Sequence, residues 1–367
     1  MTPNRKIRVL IVDDSAIVRK LLGEALAGEA DIEVVGTAPD PYIARDKVLA
    51  LSPDVLTLDI EMPRMDGLTF LKKLMLFRPM PVIVISSLAQ ASCEAGVEAL
   101  RAGAVEVMAK PGGPYSVGEL KASLANKIRA AAISRIRVRE PQAQPTPISI
   151  PHLAAASVFN PLAVIAIGAS TGGTEAIEAV LTHLPGDMPG IVITQHIPAG
   201  FSRAFAERLN KLCSMRVVEA VDGDLVKPGL ALIAPGNFHM ILRKAGGVYR
   251  VAVKDGPMVC YQRPSVDVLF SSVAEAAGSN AVGVILTGMG SDGAQGMMKM
   301  KSAGASTIAQ DEASCVVFGM PKEAIRVGGV DRVVSLYSVA QAILNALPVA
   351  REDHAKVRAS SQPFTRK

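Results

Sequence analysis

The sequence predicts an α/β protein made of two doubly wound units, on three observations. Short apolar runs rich in β-branched residues alternate with helix-length stretches, the pattern of parallel sheets covered on both faces. A proline- and arginine-rich segment, SRIRVREPQAQPTPISIPHL, interrupts that alternation between residues 134 and 153. The length of 367 residues suits two or three domains at about 150 residues each.

In the first unit IRVLIV (7–12), VLTLDI (55–60), PVIVISS (81–87) and VEVMAKP (105–111) read as strands, with AIVRKLLGEAL (16–26) and GLTFLKKLMLF (67–77) as helices between them. A parallel sheet is expected over residues 1–125. Residues 126–160 suit a solvated linker better than a packed element. Alternation resumes at Leu162: LAVIAIGAS (162–170) is a strand and turn, TEAIEAVLTHL (174–184) a helix, GIVITQH (190–196) a strand and FSRAFAERLNKL (201–212) a helix. LALIAP, HMILRK and YRVAVK read as shorter strands with hairpins. VDVLFSSVAEAAG is a helix, AVGVILTG a strand and AQGMMKMKSAG a helix, and STIAQD and CVVFG follow. A mostly parallel α/β unit of hydrolase type is expected over 161–350, and a polar, fraying tail over 351–367.

Composition narrows the function. With 49% hydrophobic and 20% charged residues, the chain is neither disordered nor fibrous. A net charge of +5 raises nucleic acid or an anionic membrane as partners. The excess sits in the linker and the tail, however, while 161–350 is balanced and 1–125 slightly acidic. Tryptophan is absent and aromatics are 4%, which leaves few platforms for stacking bases. The second half also shows no helix-turn-helix with a basic recognition helix, so nucleic-acid binding is not expected. Cys93, Cys213, Cys260 and Cys315 form no Cys-x-x-Cys pair and read as buried free thiols of a reducing compartment. No apolar run reaches the ~18 residues of a membrane span. A cytoplasmic location without membrane insertion is expected.

Two constellations carry chemistry. In the first, Asp13, Asp14, Asp59, Ser86 and Lys110 all fall at the carboxyl ends of strands, where open parallel sheets bind ligands. One such Asp is usually a turn former or helix cap; five groups at successive strand ends suggest more. Clustered carboxylates call for a hard divalent cation such as Mg²⁺. A carboxylate can then attack phosphorus, with Lys and Ser holding the transferred oxygens. The motifs IVDDS, LDIEMPRMDG, VISS and AKP after AGAVEV resemble a response-regulator receiver domain, which implies a five-stranded parallel sheet of flavodoxin-like fold. The resemblance implies Asp59 as phosphoacceptor, Asp13 and Asp14 as metal-binding acids and a Glu61 backbone carbonyl on Mg²⁺. It also implies Ser86 as switch hydroxyl, Lys110 as phosphate-pairing amine and a histidine kinase as phosphodonor. Val107 departs from the pattern, because many receivers carry a switch aromatic there.

In the second, Gly168-Ala169-Ser170-Thr171-Gly172-Gly173 joins a strand to a helix, where glycines allow a sharp turn and expose backbone N–H groups. It is neither a Walker loop nor a Gly-x-Gly-x-x-Gly fingerprint. Ser170 could cap the helix or act as a nucleophile. His196 and Asp292 fall on the same carboxyl rim and would complete a triad, in which His196 is the base and Asp292 its orienting acid. His183 reads as a helix-end cap. Ser170 with Asp222 or Asp224 and His239 is an alternative order. IGASTGGTEAI, TQHIPAGFS, APGNFHM, RPSVDVLF and LTGMGSDGAQG resemble the catalytic domain of the CheB family. That resemblance implies a site of Ser170, Thr171, His196, Met289 and Asp292, with a Met289 N–H at the oxyanion and no cofactor. It implies hydrolysis of glutamate methyl esters, and deamidation of glutamines, on the cytoplasmic helices of methyl-accepting chemoreceptors, with a CheA-type kinase upstream. A DNA-binding response regulator and a small-molecule esterase are the alternatives. A receiver joined to a hydrolase further suggests that phosphorylation lifts an inhibitory docking.

Overall fold

The computed structural model describes residues 5–110, 117–135 and 159–348. The proline-rich part of the linker and the tail lie outside the described residues. The N-terminal unit runs β1 (Ile7–Val12), α1 (Ala16–Leu26), β2 (Ile32–Ala38), α2 (Pro41–Leu51), β3 (Val55–Asp59), α3 (Gly67–Phe77), β4 (Val82–Ser86), α4 (Gln90–Arg101), β5 (Glu106–Ala109) and α5 (Val117–Ala132). Its five strands lie in the order β2-β1-β3-β4-β5, all parallel. Side chains start several helices: Ser15 caps α1, Asp40 caps α2 ahead of Pro41, and Asp66 caps α3, each accepting otherwise unpaired N–H groups. β2 completes the expected five strands, and α2 leads from it to β3. α5 crosses the domain boundary expected at residue 125.

The C-terminal unit runs β6 (Val164–Ala169), α6 (Gly173–Leu181), β7 (Gly190–Gln195), α7 (Phe201–Leu212), β8 (Arg216–Glu219), β9 (Leu225–Val226), β10 (Leu230–Ile233), β11 (His239–Ala245), β12 (Val248–Lys254), α8 (Val266–Ala277), β13 (Ala281–Ile285), α9 (Ala294–Ser302), β14 (Ser306–Gln310), α10 (Met320–Arg326), β15 (Arg332–Val334) and α11 (Val339–Ala346). Seven strands form a sheet in the order β15-β14-β13-β6-β7-β10-β8, and every pairing in it is parallel. β11, β12 and β9 form a separate antiparallel sheet. CVVFG forms no strand of either sheet, though Phe318 bridges Gly288. β6, β7 and β13 are buried along their whole length, which explains their near-continuous apolar sequence.

The chain winds away from β6 in two directions, to β7 on one side and to β13 on the other. Ligands of open α/β sheets bind at such a switch point. In the N-terminal sheet the equivalent point separates β1 from β3.

The two units share an apolar core. One buried cluster contains Val97, Leu100 and Val107 of the first unit together with Ile197, Phe201 and Phe205 of the second. α4 packs on α7 at Gly96, where an added Cβ would lie 2.4 Å from Phe201 Cε1. Among the described residues no helix is long and apolar enough to cross a membrane. None of the cysteines forms a disulfide, but only Cys93 and Cys315 are buried; Cys213 is half-buried and Cys260 exposed. The expectation of four buried thiols is corrected for the latter two. Cys260 sits in a surface turn rather than an element (Val259 to Gln262 bridge).

Candidate active site and phosphoacceptor site

At the switch point of the larger sheet, β6 ends at Ala169 and Ser170 begins the turn into α6. Gly172 has φ +74°, a conformation open to glycine and costly for other residues. β7 pairs Gln195 with Ala169, so His196 emerges beside Ser170, and its backbone N–H donates to the Ala169 carbonyl at 3.1 Å. The loop after β13 returns Asp292 to the same rim. His196 Nε2 and Asp292 Oδ2 are 2.7 Å apart, and both side chains are buried.

Asp292 is held from several directions. Its Oδ1 accepts from Ser265 Oγ at 2.8 Å and Asp267 N at 3.0 Å, and its Oδ2 accepts from Val266 N at 2.7 Å. Ser265 caps α8, so the carboxylate lies at a helix N-terminus, which favours negative charge. Burial pushes its pKa up, but the hydrogen bond and charge of His196, with the Asp267 amide and Ser265 hydroxyl, outweigh that and leave it below the ordinary carboxylate value. An ionised Asp292 accepts the Nε2 proton of His196, which leaves Nδ1 with the lone pair. Nδ1 is buried and without a hydrogen-bond partner among the described residues. The nitrogen available to take a proton is therefore Nδ1. Ser170 Oγ makes no hydrogen bond to a described residue; resting enzymes often tighten such contacts only with substrate.

Ser170, Thr171, His196, Met289 and Asp292 line a cavity of about 420 Å³. Glu106, Met108, Ala109 and Lys127 of the first unit line it too. Thr171 Oγ1 donates to Glu106 Oε2 at 2.9 Å, and Lys127 Nζ lies 3.0 Å from Glu106 Oε1. The first unit thus places a carboxylate one residue from the candidate nucleophile. Arg135 adds an exposed contact, donating to the Glu312 carbonyl at 2.9 Å.

The other described histidines, His183 and His239, lie apart. His183 Nδ1 sits 2.7 Å from the Ala179 carbonyl at the end of α6, in keeping with the helix-end expectation. His239 is buried, with Nε2 on the Pro257 carbonyl and Nδ1 accepting from Ser265 N. Asp222 accepts from Val253 N and Asp224 from Val221 N. The alternative order through Asp222 or Asp224 and His239 is therefore corrected: these carboxylates close turns of the small sheet, and both His239 nitrogens are engaged elsewhere.

In the N-terminal unit, carboxylate oxygens of Asp13, Asp14 and Asp59 lie within 4.8 Å of one another. Lys110 Nζ is 2.7 Å from Asp59 Oδ2 and 3.7 Å from Asp13 Oδ2, and Glu61 N donates to Asp59 Oδ1 at 3.1 Å. Burial raises Asp59 to a pKa of about 6, with the Asp13 charge adding to the effect and Lys110 opposing it; burial also raises Asp13. Asp13 Oδ2 and Ser86 Oγ are buried and accept or donate no hydrogen bond among the described residues. Crowded carboxylates with an orphaned oxygen fit a hard cation. Val107 is fully buried on β5, with its Cγ2 3.3 Å from where a Cβ on Gly96 would lie, so it packs beneath α4. The Glu61 side chain accepts from the Ser87 and Ser92 hydroxyls.

Glu106, Lys127, Ser265, Gln195 and Thr287 were not singled out by the sequence. Ser265 alone left a signal, since it precedes the helix-like VDVLF; Glu106 and Lys127 matter only because another unit lies against them.

An acid-rimmed parallel sheet docked on a larger α/β unit with a Ser, a His–Asp pair and a shared cavity defines a response regulator with an enzymatic output unit. Family models agree: residues 9–122 match the response regulator receiver domain and 165–343 the CheB methylesterase. The chain is similar to protein-glutamate methylesterase/protein-glutamine glutaminase 2 of Syntrophus aciditrophicus, 58% identical over 92% of this chain and 98% of that one. It is 56% identical to the protein-glutamate methylesterase/protein-glutamine glutaminase of Salmonella typhimurium over 92% of this chain and 96% of that one. A solved structure, the Thermotoga maritima CheB methylesterase catalytic domain, is 39% identical over 50% of this chain and 97% of its own, with a TM-score of 0.49. The chain belongs to the CheB family of protein-glutamate methylesterase/protein-glutamine glutaminases.

Proposed function

We propose that this chain hydrolyses the methyl esters of glutamate side chains on chemoreceptor cytoplasmic helices and deamidates selected glutamines there, under control of phosphorylation at Asp59. The observation that carries the chemistry is the buried His196–Asp292 pair, which leaves Nδ1 free on the rim that carries Ser170. Ser170 Oγ attacks the γ-carbonyl carbon while His196 Nδ1 takes its proton. Backbone N–H groups, with Met289 N–H as one, receive the oxyanion. The tetrahedral intermediate collapses, His196 returns the proton to the leaving group, and methanol departs from an ester or ammonia from an amide. Water then attacks the acyl-enzyme, giving up a proton to His196, and releases the glutamate carboxylate and Ser170. One acyl intermediate serves both reactions.

In the receiver unit, drawn through the end of α5 at Ala132 with the linker after it, Asp13, Asp14, Asp59 and the Glu61 backbone carbonyl would hold Mg²⁺, which neutralises phosphoryl charge when bound. Asp59 attacks a phosphoryl group supplied by a CheA-type histidine kinase, and Lys110 and Ser86 receive its oxygens. The Thr171–Glu106 contact and the α4–α7 packing support a docked resting state that restricts substrate entry. Phosphorylation shifts the population away from it. The test is methanol release from methyl-labelled receptor: full activity in Ser170→Ala would end the serine mechanism.

A further inference from the structure

The turn that carries Ser170 is gripped by a buried amide that the triad does not use. We propose that Gln195 is a positioning residue of the hydrolase: its side chain turns the Ser170–Thr171 peptide so that the Thr171 N–H faces the oxygen of the reacting carbonyl. The inference rests on the reading of Ser170 as nucleophile.

Gln195 ends β7 and is 2% exposed. Its Nε2 donates to the Ser170 carbonyl at 2.8 Å and to the His196 carbonyl at 3.3 Å, so one group ties the nucleophile's backbone to the base's. Its Oε1 is buried and unpartnered among the described residues. An unmet buried acceptor destabilises the fold, so an apolar side chain of the same shape would suit stability better. The helix also makes room for this amide: a Cβ on Gly173 would lie 2.1 Å from Gln195 Oε1.

The consequence follows from peptide planarity. A trans peptide points its carbonyl and the next N–H to opposite sides. With the Ser170 carbonyl drawn inward, the Thr171 N–H faces the other way, and it donates to no acceptor among the described residues. The next carbonyl is held likewise, since Thr287 Oγ1 donates to the Thr171 carbonyl at 3.0 Å. Two successive carbonyls held by buried side chains preorganise donors that would otherwise reorient during reaction. Gly173 N also donates to the Ser170 carbonyl at 2.7 Å and survives substitution, so loss of Gln195 costs less than loss of an oxyanion donor.

The test compares Gln195→Met and Gln195→Glu in the full chain, activated with acetyl phosphate and Mg²⁺, by kcat and KM for methanol release. Both lower kcat by about 10–100-fold at neutral pH, with KM unchanged. Gln195→Glu regains activity as pH falls, because a protonated carboxyl can donate; a histidine base alone responds in the opposite direction. A crystal structure of Gln195→Met shows the Ser170–Thr171 peptide reoriented. A folded Gln195→Met with wild-type kcat, or with that peptide unmoved, overturns the proposal. If the wild-type chain releases no methanol, the substrate reading fails instead, and the peptide orientation alone decides the role of Gln195.

Discussion

The receiver rim and the catalytic rim are built alike and finished differently. Each sits at the switch point of a parallel sheet and gathers polar side chains from adjacent strand ends. In the receiver, Asp13 Oδ2 and Ser86 Oγ have no hydrogen-bond partner among the described residues, and burial lifts Asp59 to about 6. In the hydrolase, Asp292 accepts from Ser265, Val266, Asp267 and His196 and its pKa falls below the ordinary value. The rim proposed to accept a cation and a phosphoryl group keeps acceptors unfilled. The rim proposed to hold one imidazole through many turnovers fills those of its carboxylate.

Four substitutions break or sharpen that contrast. Asp292→Asn removes the charge that holds the imidazole and its tautomer. Methanol release should fall by about 10⁴-fold, the scale known for the same change in a serine-protease triad, and unchanged turnover would dissolve the catalytic rim as drawn. Asp59→Asn acts on the receiver only. Stimulation by acetyl phosphate should vanish while unstimulated turnover persists, which stopped-flow or discontinuous methanol assays separate. Glu106→Ala joins the two rims. It removes the acceptor for Thr171 Oγ1 and frees Lys127, so turnover without a phosphodonor should rise by up to tenfold, since about 1.4 kcal/mol of docking free energy corresponds to tenfold in population. No rise would show that the Thr171–Glu106 contact is not part of the restraint. Ser265→Ala has the smallest effect. It deletes an α8 cap and one donor to Asp292, and calorimetry should report about 1 kcal/mol of lost stability.

Much of this was legible in the sequence. The strand runs IRVLIV and VLTLD, and the helices 16–26 and 67–77, fall where periodicity places them. The residues proposed as a triad could be grouped from the sequence because each ends or follows a recognisable strand. β2 left no apolar run clear enough to single out, and its mixed burial explains why. The cysteine expectation failed at Cys260 because burial depends on which face an element turns to its neighbours, and Cys260 lies in a turn.

The sequence by itself determined two α/β units, the strand ends that carry Asp13, Asp59, Ser170, His196 and Asp292, and the family. These follow from local periodicity and chain order, which short-range chemistry records. Only the tertiary structure decided which histidine nitrogen stays free, that Gln195 reaches the Ser170 carbonyl, and that Glu106 of one unit meets Thr171 of the other. Those are contacts between residues distant in sequence, where a few ångströms of packing choose the partner and no local pattern carries the answer.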